Sequence, residues 1–192
     1  MEIFMNKKVL WITRTALLLA LVIVAQFIGK MLPAGAVVLG PMSVNQLITG
    51  SLVNMVLAIA VLTVGVLSAV TVGVLSSVLA TLIGVGPIFP IITPAIAAGN
   101  IIIATVIWAV IKLGKKPDSK AMQLLGIIAG AALKCAFLWV TVPALFRFIP
   151  EIKEKQAQTL SIMFSYPQLI TGIIGGLLAL AVYPALKKAL SK

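Results

Sequence analysis

Residues 123–146 read QLLGIIAGAALKCAFLWVTVPALF, an apolar run interrupted by one cation, Lys134, near its middle. Taken from Ala121 to Phe146, the run is long enough to cross a bilayer, which needs about 20 apolar residues. An ammonium at that depth costs at least ~2.5–3.5 kcal/mol on insertion scales, so it has to face a polar interior or a cavity and hold a partner. The acids of the chain are Glu2, Asp118, Glu151 and Glu154, and all of them lie outside the apolar runs. Either carbonyl dipoles and amides hold Lys134, or its counter-ion arrives from outside as a ligand.

The rest of the chain shares this character. Of its 192 residues 61% are hydrophobic and 10% charged, against about 25% charged in soluble domains. The mean hydropathy is +1.21. This composition describes an all-α polytopic membrane protein, and the short polar breaks between runs describe a single domain over residues 1–192. A net charge of +11 would point to nucleic acid in a soluble protein. Here the cations sit at the ends of apolar runs and act as topology signals, so no nucleic-acid partner is expected. With Cys135 as its one cysteine and no histidine, the chain builds neither a disulfide nor a cysteine or histidine metal site, and no cofactor is expected. The basic N-terminus leads into an apolar run without a small-residue cleavage site, which reads as a retained first helix.

Six spans follow, at about residues 10–29, 45–64, 65–84, 92–113, 121–146 and 166–186. Between them, the Pro- and Gly-rich stretch 30–44 reads as a loop, GKKPDSK at 114–120 as a polar loop, and 147–165 as an amphipathic helix or a lid. Six spans put both termini on one side. Lys7, Lys8, Arg14, Lys112, Lys115, Lys116, Lys120, Lys187, Lys188 and Lys192 share that side, against Lys30, Arg147, Lys153 and Lys155 on the other. The bias makes the termini cytoplasmic.

Topology turns scattered polar residues into a cluster. At ~1.5 Å of rise per residue, Gln26, Asn45, Gln46, Tyr166 and Gln168 fall in the outer third, and Asn54, Asn100 and Lys134 lie nearer the midplane. Amides and a cation in a pocket open to the outside suit a small polar ligand with an anionic group. The bland alternative is that the amides bond neighbouring helices and that Lys134 snorkels or contacts carbonyls. Gly126 and Gly130, with Gly172, Gly175 and Gly176, read as packing positions inside the domain. Ala16 and Ala20, four apart on the first helix, give a face that another helix can approach closely. No acid or histidine lies in a span to relay protons, no Gly-rich loop cradles a nucleotide, and no nucleophile has a base within the membrane. The chain is therefore not read as an enzyme, and energy for uphill transport would come from a partner.

Thr13-Arg14-Thr15-Ala16-Leu17-Leu18-Leu19-Ala20 opening the first of six helices, the basic N-terminus and the length resemble the substrate-binding S components of energy-coupling factor (ECF) transporters. The resemblance implies an S-component-like bundle in a bacterial or archaeal cytoplasmic membrane. It also implies that Ala16 and Ala20 pack against a transmembrane T component, with two cytoplasmic ATPases completing the complex. In that reading the chain is the high-affinity binding subunit of an ATP-driven importer of a vitamin or vitamin precursor, and it topples in the membrane to deliver its ligand. Lys134 favours a carboxylate or phosphate on that ligand, and the missing N-terminal histidine argues against cobalt or nickel. Stretches 30–44 and 147–165 are candidate gates. Two other classes remain open: a self-contained facilitator, which would equilibrate solute without partners, and a membrane scaffold, in which the polar cluster is interhelical glue.

Overall fold

The computed structural model describes residues 6–32, 37–39, 42–115 and 118–190. Seven helices carry almost all of its regular structure: α1 (Lys7–Met31), α2 (Val44–Thr63), α3 (Val66–Leu82), α4 (Thr93–Leu113), α5 (Lys120–Leu145), α6 (Glu154–Met163) and α7 (Tyr166–Leu190). Five segments are long and apolar enough to cross a membrane: Lys7–Met31, Val44–Thr63, Pro90–Leu113, Lys120–Phe148 and Glu154–Leu190. Helix α3 is apolar but, at 17 residues, shorter. Its length of ~25 Å falls a little below the ~30 Å hydrocarbon thickness of a bilayer.

Local chemistry sets the helix ends. The Asn6, Ser43 and Ser119 side chains accept from the amides of Lys8, Gln46 and Met122 and so cap α1, α2 and α5. Gly65, at φ 120°, takes the left-handed turn that folds α3 back from α2 with almost no loop. Pro90 opens a 3-10 turn over Pro90–Ile92, and α4 follows with Pro94 in its first turn, where the missing N–H costs nothing.

One connection differs from its expected form. The stretch 30–44 is not a plain loop: α1 runs on to Met31, and Val37–Leu39 (β1) pairs antiparallel with Met42–Ser43 (β2). Backbone pairing satisfies polar groups that an extended apolar segment near a membrane would otherwise leave bare. Residues 33–36, 40 and 41 lie outside the described residues, as do Lys116 and Lys192. Within 147–165 the helix alternative holds, as α6.

Helix α2 lies at the centre, with α7, α1, α3 and α4 around it, and α5 packs on α4 and α7. One apolar cluster joins them through Leu18, Val22, Leu57, Val72, Ile103, Ile107, Ile127 and Ala179. The glycines of α5 and α7 face this interior: a Cβ at Gly130 would lie 3.0 Å from the Ile103 carbonyl oxygen, and one at Gly172 2.7 Å from the Ala131 Cβ. A second cluster, of Ile92, Ala95, Leu138, Val142, Leu160 and Phe164, fastens α6 across the bundle end where α4 and α7 begin. Leu17, Leu21, Leu67, Leu82, Leu133, Val140 and Leu177 point outward, as lipid-facing side chains do.

Candidate functional site

Under α6 lies a cavity of about 310 Å³, at the low end of the ~300–1,000 Å³ typical of small-molecule sites. Gln26, Asn45, Gln46, Asn54, Asn100, Lys134 and Gln168 all line it. Seven of the eight residues singled out for ligand contact thus come from α1, α2, α4, α5 and α7 to one space. Tyr166 opens α7 and is not among the lining residues.

Lys134 is 3% exposed. Its Nζ donates to Asn54 Oδ1 at 2.9 Å and to Asn100 Oδ1 at 2.8 Å, so the amide alternative for its partners holds. The orientation of both amides follows from their other ends. Asn54 Nδ2 donates to the Gly50 carbonyl oxygen at 2.8 Å and reaches Thr171 Oγ1 at 3.5 Å. Asn100 Nδ2 donates to the Gly73 carbonyl oxygen and to Ser77 Oγ, both at 3.1 Å. With the nitrogens committed to acceptors, the oxygens face the ammonium. Two neutral amides leave the full charge in place, and the third ammonium proton has no partner among the described residues. None of the described lining residues is acidic.

The rest of the lining offers acceptors. Gln26 Nε2 donates to the Ser76 carbonyl oxygen at 3.3 Å, while Gln46 Nε2 at 2.7 Å and Gln168 Nε2 at 3.2 Å share the carbonyl oxygen of Met163. Gln26 Oε1 and Gln46 Oε1 are buried with no hydrogen-bond partner among the described residues. Asn45 Oδ1 accepts from Thr49 Oγ1 at 3.0 Å. Phe164 is the one aromatic side chain among the described lining residues, and Trp139, 63% exposed, points away from the interior.

Several contributors escape a reading of the sequence. Ser77 and Thr171 complete the amide network, Thr49 lines the cavity beside Asn45, and the Met163 carbonyl ties α6 to α2 and α7. Ser and Thr are common in apolar spans, and a backbone carbonyl has no sequence signal. The depth shared by Ser77 and Asn100 is the one cue that points to their pairing.

On the far side of α1, Ala16 and Ala20 are exposed, because the core takes Thr15, Leu18, Val22, Ala25 and Gly29 from the opposite face.

A family model described as ECF transporter, substrate-specific component, matches residues 11–187. The chain belongs to that family. No curated protein and no solved structure matches it. As an S component it is a substrate-binding subunit of a multi-pass membrane transporter rather than a catalyst, and S components associate with a T component and ATPases. The cavity lies in the half of the bundle opposite the termini, between the ends of α2 and α7 that follow the β1–β2 ribbon and α6.

Proposed function

We propose that this S component is the high-affinity binding subunit of an ATP-driven importer for a small micronutrient, a vitamin or vitamin precursor, carrying a carboxylate or phosphate. The observation that carries the reading is Lys134, a charged and nearly inaccessible ammonium on the cavity wall with one uncommitted proton and no acid among the described lining residues. An anionic group supplies the missing countercharge. The bare oxygens of Gln26 and Gln46 add a second requirement: N–H or O–H donors on another part of the ligand. Asn54 and Asn100 orient the ammonium, and Asn45 and Gln168 complete the polar lining. One aromatic wall, Phe164, favours a ligand without an extended ring system.

In this reading α3 is a short sixth crossing, both termini are cytoplasmic in a bacterial or archaeal cell membrane, and the cavity faces outward. The β1–β2 ribbon and α6 form its mouth. The test is mass spectrometry of small molecules released from gently purified protein, beside Lys134→Met. The expected result is a water-soluble anion retained by the wild type and absent from the variant. Equal retention by both takes Lys134 out of the site and overturns the anion reading, whereas no ligand retained by either and none bound from a titrated vitamin panel favours the scaffold.

The exposed Ala16 and Ala20 are assigned to the T-component interface, with two cytoplasmic ATPases completing the complex. Replacing both by Leu adds bulk where a helix has to approach within small-residue distance. Ligand binding by the isolated S component is expected to stay unchanged, while co-purification with a T component and ATPases falls at least tenfold (order of magnitude, from the loss of a packed helix contact worth ~1.4 kcal/mol or more). Transport by the chain alone in proteoliposomes would instead establish a facilitator.

A further inference from the structure

A second cavity, of about 500 Å³, sits at the other end of the bundle, where α2 turns into α3 and α4 ends. Its lining includes Thr63, Gly65, Trp108, Lys112, Lys115 and Tyr183. None of its described lining residues touches the ligand cavity. The chemistry here is cationic and amphipathic. Lys112 Nζ lies 4.5 Å from the centre of the Trp108 ring, close enough for a cation–π contact that holds the side chain on the basin wall. Lys112 and Lys115 are exposed and Tyr183 is half-buried. No acid is among the described lining residues, and the described acid at this end, Asp118, is engaged by Lys187.

We propose that this basin binds the phosphodiester head group of an anionic membrane lipid. Two lysines set beside a tryptophan and a tyrosine at helix ends place the charges at head-group depth and the rings where interfacial aromatics reside. Basic pockets between transmembrane helices on the positively charged side are sites of this kind. The exposed Leu113, beside Lys112, and Leu67, in the first turn of α3, offer apolar surface for the acyl chains.

Native mass spectrometry of the detergent-purified chain, with phosphatidylglycerol or phosphatidylcholine added at matched concentrations, tests this. The wild type is expected to carry phosphatidylglycerol in preference to phosphatidylcholine. Lys112→Gln with Lys115→Gln should weaken phosphatidylglycerol binding by about 10- to 30-fold, at roughly a fivefold loss per lysine. Both side chains are exposed, and thermal unfolding measured alongside checks that the variant is folded. Lys7→Gln with Lys8→Gln removes the same charge from the same end but away from the basin, and should leave binding intact. Equal binding of the two lipids by the wild type overturns the proposal. An equal loss in both double variants also overturns it, because the attraction would then be diffuse. Displacement of the lipid by millimolar inorganic phosphate would reassign the site to a free phosphate.

Discussion

Asn100→Leu should be the most destabilising polar substitution in this protein, costing about 3 kcal/mol. The change removes an acceptor 2.8 Å from a buried ammonium and strips the Gly73 carbonyl and Ser77 hydroxyl of a donor. Lys134, 3% exposed, would be left with Asn54 as its described partner. Lys134→Met is expected to cost much less, because it removes the charge itself and keeps the volume. The double variant should then be more stable than Asn100→Leu alone, since a leucine beside a methionine strands no ammonium. Unfolding of all four proteins in detergent gives the coupling directly. If Asn100→Leu unfolds with the wild type, the ammonium is not held by this amide, and the account of the site fails.

Gly175→Val is expected to separate α2 from α7 and yield little folded protein. A Cβ at this position would fall well inside contact distance of the Ser51 carbonyl oxygen and 2.7 Å from the Met55 amide nitrogen. Both are backbone atoms of the central helix and cannot rotate away, unlike the end of a side chain. Overpacking typically costs ~1–3 kcal/mol, and a clash with backbone in the most extensively packed helix pair belongs at or above the upper end. Leu177 and Leu178, two and three residues further along α7, are 48% and 41% exposed, and Leu177→Ala should be tolerated. Recovery of monodisperse protein after extraction separates the two. Normal recovery of Gly175→Val would mean that α7 does not seat on α2 as described. The cavity would suffer too, because the same helix pair carries Gln168, Gln46 and Asn54.

Much of the site was legible before the fold. Lys134 announced itself by depth and by the lack of an acid in any span, and the carboxamides were conspicuous because few other large polar side chains enter the runs. Tyr166 shares that depth but not the cavity, since rise along a helix gives no azimuth. The β1–β2 ribbon was unreadable because its strands are three and two residues long, too short for an alternating pattern.

The all-helical membrane class, the apolar runs, five of which form segments long enough to cross a membrane, the uneven placing of charge and the cation without an acid in its run could all be read from the sequence. Each of these depends on composition or hydropathy summed along the chain, which needs no knowledge of neighbours. It took the packed bundle to show that two amide oxygens meet at Lys134, that two glutamine oxygens have no partner among the described residues, and that the alanine pair faces outward. These depend on the rotation of each helix about its own axis. Packing sets that rotation, through close approaches such as Gly175 on Ser51 and Gly130 on Ile103, which join residues far apart in the chain.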